Sequence, residues 1–455
     1  MIAKSQVSAA ERRAACEFGA GATPSQTLDS DEPRGAEIPI DHFVIVMQEN
    51  RSFDHYFQGL PAAGQPDAEV APRDFHNKDP KTGRQVGIFL QKVLCSKDVR
   101  HDWNSAHLQY DDGKMDGFVL TSNPMGARAL AYYDATTLGY YYALANTFAI
   151  GDHYFASILG PTWPNRMFFH AASSFGHIGN TPPPDEGVKP SLFRELEQKG
   201  IPWLIYREGK TFEEKIFPAL YREHTDRFRD IEEFFSDAKA NALPAYVWLE
   251  SSYGGPSATD EHPPADIELG QALVARVIKA LMESAAWKRS ALFIMYDEPG
   301  GFFDHVPPPP ACAPDELPPL LEKRHLPGGF DRLGMRVPLI VVSPFAKQHY
   351  VSHTVYSHTS IVRMVEARYE LPALSKRDAN SSIPYDLFDF SSPPFLVPPV
   401  LPEARVDQPA LRACVRAFKK KKKGGRTDAN DYGKAEGSAA SGDPEGPPDE
   451  PSPAH

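Results

Sequence analysis

His42-Phe43-Val44-Ile45-Val46-Met47-Gln48-Glu49-Asn50 is the stretch that decides the fold class. An unbroken apolar run rich in β-branched and aromatic residues reads as a strand covered on both faces, the kind found inside parallel sheets flanked by helices. In such open α/β sheets ligands bind just beyond the carboxyl ends of the strands, which is where Glu49 and Asn50 fall. The pattern returns downstream. Ala291-Leu292-Phe293-Ile294-Met295-Tyr296 is a second apolar run, and it ends in Asp297-Glu298 followed by Pro299-Gly300-Gly301. Two buried strands that carry acidic oxygen ligands to one edge of a sheet point to a metal.

Working outward, residues 201–206, 245–249 and 337–342 read as further strands. Residues 136–148, 190–199, 231–240, 266–284 and 359–370 read as helices. In the 266–284 segment Leu269, Leu273, Val277 and Leu281 recur at helical spacing and form a core face. Strands separated by helices predict a three-layer α/β/α domain with a mostly parallel central sheet. The chain is expected to divide into a flexible leader over residues 1–37, a catalytic domain over 38–400 and an extension over 401–455, disordered from about residue 419. The leader lacks any sustained period, and the part of the extension expected to be disordered opens with five lysines at 419–423 before an acidic Gly/Ser/Pro-rich run. Those lysines can dock on anionic lipid or RNA, or remain solvated without a partner.

The bulk properties narrow the function. A net charge of -12 argues against a dedicated nucleic-acid binder. No apolar stretch is long enough to span a bilayer, and the first residues lack the apolar core of a secretory signal, so a cytoplasmic location is expected from sequence. Cys16, Cys95, Cys312 and Cys414 show no metal-ligand or redox spacing. They read as free or partly buried thiols, with one disulfide between Cys95 and Cys312 as the alternative. Oligomeric state is not legible.

A nucleophile is offered by Gly160-Pro161-Thr162-Trp163-Pro164-Asn165-Arg166. Gly160-Pro161 makes a sharp turn and Pro164 suits a first helical turn, so Thr162 is expected at a helix N-terminus, where backbone N–H groups favour a phosphate. Metal coordination is one way to activate a threonine hydroxyl. Taken alone, Thr162 also reads as a helix cap. His101, His107 and His262 can contact a phosphoryl group and protonate a leaving alcohol. His55, His305 and His358 read as structural.

Glu49-Asn50-Arg51-Ser52-Phe53-Asp54-His55-Tyr56, the Thr162 segment, Asp260-Glu261-His262-Pro263-Pro264 and Tyr296-Asp297-Glu298-Pro299-Gly300-Gly301, in that order, resemble the bacterial phosphoesterase family of phospholipases C and acid phosphatases. The resemblance covers residues 38–399. It implies an alkaline-phosphatase-like fold and Thr162 as a nucleophile that forms a covalent phosphothreonine. It also implies one divalent metal ion (Ca, Mg, Mn or Zn) held by Glu49, Asn50, Thr162, Asp297 and Glu298, with Asn50, His107 and His262 on the phosphoryl group. Pro299 stands where the family more usually has His or Asn, and Ser357 precedes His358-Thr359-Ser360 where Asp is common; neither removes a proposed ligand. Relatives of this kind are often exported. A sulfatase is excluded, because threonine cannot yield the formylglycine aldehyde. The implied substrate is a phosphate ester, with phospholipase C-like cleavage of phospholipid favoured over an acid phosphatase acting on soluble phosphomonoesters. A non-enzymatic, metal-stabilised binding protein is the remaining alternative. Residues 123–133, with Met125, Leu130, Tyr132 and Tyr133, and the proline run 306–310 are expected to form a lipid-facing lip.

Overall fold

The computed structural model describes residues 7–182 and 189–422. At its centre is an eight-stranded sheet. In chain order the strands are β1 (His42–Gln48), β2 (Ala149–Gly151), β3 (Trp203–Arg207), β4 (Phe228–Asp230), β5 (Tyr246–Glu250), β6 (Ser290–Tyr296), β7 (Leu339–Val342) and β8 (Tyr350–Ser352). Across the sheet they lie in the order β8-β2-β7-β6-β1-β5-β3-β4. β1 is parallel to both β5 and β6, β3 to β5 and β4, and β2 to β8. Only β7 runs antiparallel to its neighbours, β6 and β2.

The mostly parallel, helix-covered sheet expected from the sequence is therefore present. β6 is buried along its whole length and β1 everywhere except His42. Successive side chains point to opposite faces, so both faces are covered. The expected helices appear as Gly139–Thr147, Leu192–Gln198, Ile231–Lys239, Ile267–Glu283 and His358–Tyr369. Asp266 caps the longest of these, accepting the Glu268 amide. Between β6 and β7 the chain forms no helix. Without such a crossover it returns antiparallel.

Both ends depart from expectation. From residue 7, where the described part begins, the leader is packed rather than flexible: Ala9–Ala14 is a helix with a Ser8-Glu11 capping box, Phe18 is buried with Ala373 and Ala379, and Leu28 joins the main core. Single anchoring residues hold it instead of an apolar face, so no period shows. At the other end the helix Gln408–Lys422 carries the chain past residue 419, where disorder was expected. The rest of that expected tail lies outside the described residues.

All four cysteines are paired, as Cys16–Cys312 and Cys95–Cys414. This corrects both the free-thiol reading and the Cys95 to Cys312 alternative. The partners stand 296 and 319 residues apart, a separation at which spacing carries no signal. Each bridge ties an end of the chain to the domain body.

Candidate active site

Because β1, β5 and β6 are parallel neighbours, their carboxyl ends meet at one edge. Gln48 is in register with Tyr296, which sets Glu49-Asn50 beside Asp297-Glu298. The Asp297 amide donates to Gln48 O at 3.1 Å, and the Asn50 amide donates back to Asp297 Oδ1 at 3.1 Å. The Glu298 amide donates to the same oxygen at 2.8 Å, and the Gly300 amide donates to Glu298 Oε2 at 2.7 Å. Asn50 has φ 62°, a left-handed conformation that asparagine tolerates better than most residues. The glycines after the acidic pair allow this crossing. A Cβ on Gly300 would lie 2.3 Å from Asn50 O, and one on Gly301 would lie 2.2 Å from Arg100 O, next to His101.

Three buried oxygens at this edge, Asn50 Oδ1, Asp297 Oδ2 and Glu298 Oε1, have no hydrogen-bond partner among the described residues. The nearby cationic groups stay out of hydrogen-bond reach, with His101 Nε2 at 3.7 Å from Glu298 Oε1 and Arg166 Nε at 3.9 Å from Asp297 Oδ2. A buried acceptor left unpaired costs about 1–3 kcal/mol, so three on adjacent turns call for a partner. Their chemistry, two carboxylates and an amide carbonyl, fits a hard divalent cation. Charge points the same way. Burial pushes Glu298 up to about 8, His101 opposing and Asp297 reinforcing the shift. Burial and the Asp297 charge hold Glu49 well above the usual carboxylate range despite Arg166. The edge holds more negative charge than its own side chains offset.

Thr162 opens the helix Thr162–Ala171, as the turn and proline pattern predict, and is 3% exposed. Its hydroxyl has no hydrogen-bond partner among the described residues. One turn on, Arg166 projects from the same side of the helix. It donates to Glu49 Oε1 from Nη2 at 2.8 Å and Nε at 3.1 Å, and to Glu250 Oε1 from Nη1 at 2.7 Å. Arg166 thereby ties the Thr162 helix to the ends of β1 and β5. Asn165 fixes the loop before it, accepting the Ser157 and Ile158 amides and donating to Gly160 O and Pro161 O. Glu49, expected as a free metal ligand, is thus also the anchor of this arginine.

Of the histidines, His101 reaches the edge. Its Nε2 lies 3.2 Å from Asn50 Nδ2, and its Nδ1–H donates to Val99 O at 2.6 Å. Those bonds describe a neutral ring, whereas Glu298 and Asp98 overcome burial to raise it to about 9. A cation shared by Glu298 would remove that pull and restore the neutral form. The His262 ring is 5.8 Å away, and burial lowers its pKa. Asp98 faces both rings, at 3.7 Å from His101 Nδ1 and 4.0 Å from His262 Nε2. Arg128, with a buried Nε lacking a hydrogen-bond partner among the described residues, has Asp98 as its charged neighbour. His107 lies on the helix that follows. The helix Trp103–Tyr110, capped by Asp102, carries it roughly a turn and a half past His101. There its Nδ1–H donates to Trp103 O at 2.8 Å, and the ring lines a cavity of about 330 Å³ with Tyr110, Leu159, Asp331 and Arg332.

Glu250, Glu213 and Arg166 were not singled out in the sequence. Glu250 carried the signal, since it follows the apolar run of β5 as Glu49 nearly follows β1; burial pushes it up to about 7 against Arg166. Glu213, 3.0 Å from His170 Nε2, had none. The expected lip also needs correction: Leu130 and Tyr133 are fully buried, and Met125 alone of the four apolar residues named there is exposed. Packing beneath the loop claims the other rings.

A carboxylate-rich edge of a mostly parallel sheet, with a threonine at a helix N-terminus tied to it through one arginine, has the layout of an α/β enzyme site. The sequence profile of the Phosphoesterase family matches residues 40–372, and the chain belongs to that family. It is accordingly a hydrolase acting on phosphoester bonds, and the non-enzymatic alternative falls away. Non-specific phospholipase C1 of Arabidopsis thaliana is 32% identical over 78% of this chain and 72% of that protein. Phospholipase C B of Mycobacterium tuberculosis is 28% identical over 88% of this chain and 85% of its own length. A solved structure described as a protein in the alkaline phosphatase superfamily, from Vibrio parahaemolyticus, covers 81% of this chain and 96% of its own at 8% identity and TM-score 0.36. A likeness of that size adds nothing to the fold read from the sheet itself.

Proposed function

We propose that this phosphoesterase is a metal-dependent phospholipase C-type enzyme acting through a covalent adduct on Thr162. The observation that carries the reading is the set of orphaned oxygens on Asn50, Asp297 and Glu298, at the edge to which Arg166 fastens the Thr162 helix. The similarity to proteins named phospholipase C supports the substrate class. Glu49, Asn50, Asp297 and Glu298 would hold a divalent cation, Ca, Mg or Mn by ligand hardness with Zn tolerated, which lowers the pKa of a nearby hydroxyl and offsets charge on phosphoryl oxygens.

Thr162 Oγ1 attacks phosphorus while the bond from phosphorus to the diacylglycerol oxygen breaks. The phosphorylated head group stays on Thr162. Among the described residues only the Thr162 amide at the start of this helix is left for a phosphoryl oxygen, because the Trp163 amide donates to Asn180 Oδ1 at 2.9 Å and Pro164 has no N–H. His262, beside Asp98 and with its Nδ1–H on Pro263 O, would take up a proton on Nε2 from the Thr162 hydroxyl or from solvent and pass it to the leaving oxygen, while neutral His101 accepts from Asn50 Nδ2. Water then hydrolyses the adduct, giving overall retention at phosphorus.

The test is a parallel assay of purified protein with each divalent cation on phosphatidylcholine, phosphatidylethanolamine, p-nitrophenyl phosphate and p-nitrophenyl phosphorylcholine. Diacylglycerol release from at least one lipid is expected. Turnover of the monoester alone would make the protein a soluble phosphomonoesterase.

A further inference from the structure

Glu261, between Asp260 and His262, takes no part in the phosphoryl chemistry, yet it sits where the elements that carry the site meet. It is fully buried and has φ 67°, a left-handed conformation that a residue with a β-carbon keeps only where its surroundings hold it. Its Oε2 accepts from the hydroxyls of Tyr56 at 2.6 Å and Tyr296 at 2.7 Å. Its Oε1 accepts from the Tyr141 hydroxyl and from Gln48 Nε2 at 3.3 Å. Arg51 closes the backbone side, donating to Glu261 O from Nε at 3.0 Å and from Nη2. Room for the side chain comes from Gly270 of the helix Ile267–Glu283, where an added Cβ would collide with Glu261 Cγ and Oε1.

Three of these partners adjoin residues of the site. Gln48 and Tyr296 end β1 and β6 in register, so their side chains lie on one face of the sheet and reach Glu261 together, one residue before Glu49 and Asp297. Arg51 follows Asn50. The loop is sewn to β1 at two further points, where Gln48 Nε2 donates to Thr259 O at 3.0 Å and the Glu49 amide donates to Asp260 O at 2.9 Å. One residue beyond Glu261 the chain has turned away from the tyrosines. The His262 amide donates to Asp260 Oδ1 at 3.1 Å, and its ring faces His101 and Asp98. Glu261 therefore fixes where His262 stands relative to Glu49, Asn50 and Asp297, through bonds to the neighbours of those residues.

We infer that Glu261 is a positioning residue, one that holds the His262 ring where its proton reaches the leaving oxygen. The inference rests on the reading of His262 as the donor of that proton. Transfer requires the donor to come within about 2.6–3.2 Å of the oxygen, a demand that a loop held at one point does not meet. Four donors converge on the carboxylate, and an amide of the same shape would turn N–H groups toward tyrosine hydroxyls that need an acceptor. A buried acid kept only for stability would slow every substrate alike.

Glu261→Gln, His262→Asn and the double variant are compared with wild type on phosphatidylcholine and on p-nitrophenyl phosphorylcholine, with circular dichroism and elemental analysis as controls for fold and metal content. The diacylglycerol oxygen needs a proton as it leaves, whereas p-nitrophenolate is stable without one. The loss of kcat in Glu261→Gln should be at least about tenfold greater on the lipid than on the p-nitrophenyl ester. On the lipid the double variant should be no slower than His262→Asn alone, because the two residues act as one unit. Tyr141→Phe, which removes a single donor to Oε1, should show the same selective loss at smaller size, and it carries the test if Glu261→Gln does not fold. Equal losses on the two substrates, losses that multiply in the double variant, or wild-type rates in both Glu261→Gln and Tyr141→Phe would overturn the inference, while an impaired His262→Asn enzyme keeps the proton reading standing. An unimpaired His262→Asn enzyme would sink that reading and the inference with it. If the wild type releases no diacylglycerol, the phospholipase reading fails, and glycerol phosphate against p-nitrophenyl phosphate makes the same comparison with the same expected outcome.

Discussion

Thr162→Val should lower turnover by at least about 10³-fold while leaving the fold and metal content intact. Valine keeps the shape of threonine, and removing the hydroxyl strands no hydrogen-bond partner among the described residues. Arg166 and Asn165 would still hold the helix to the sheet edge. Binding of a product phosphate should change little, so the loss belongs to kcat. Steady-state kinetics on p-nitrophenyl phosphorylcholine, with circular dichroism as a folding control, read it directly. Near-normal rates would move the nucleophile elsewhere. Ser157 would be next, although it is fully buried with Oγ 3.1 Å from His358 Nδ1.

Asp297→Asn should cost both cation and activity. The amide oxygen can still accept from the Asn50 and Glu298 amides, as Oδ1 does now. The orphaned Oδ2 becomes an NH₂ group aimed at the place where a cation is wanted, and one unit of negative charge is gone. Loss of a supporting group around a metal typically costs 10–100-fold, and loss of a direct ligand should exceed about 100-fold in affinity. Elemental analysis of the purified variant should find the site largely metal-free, and chelation of the wild type should reproduce its inactivity. Full turnover in chelated protein would remove the metal from the account.

What the sequence disclosed follows from length and burial. β1, β5 and β6 are uninterrupted apolar runs, and their paired carboxyl ends are legible from pattern alone because a strand buried on both faces has few alternatives. The three-residue strands β2, β4 and β8 are too short to show a period. The reversal of β7 depends on a long connection without a helix, which local pattern does not encode. At the site, Glu49, Asn50, Asp297 and Glu298 were legible because they follow strands. The resemblance pointed to His107 rather than His101, and six residues of spacing do not say which ring turns toward Asn50 until the Asp102 cap starts the helix between them. Glu213 and the disulfide partners come from distant segments joined only by folding.

The most direct measurement is rapid acid quench of metal-loaded enzyme during turnover of p-nitrophenyl phosphorylcholine, followed by peptide mass analysis. The account predicts a phosphorylcholine adduct on the peptide containing Thr162, absent from Thr162→Val protein and from chelated enzyme. An enzyme that releases p-nitrophenol in a burst while the Thr162 peptide stays unmodified, or with the adduct on another residue, would contradict it.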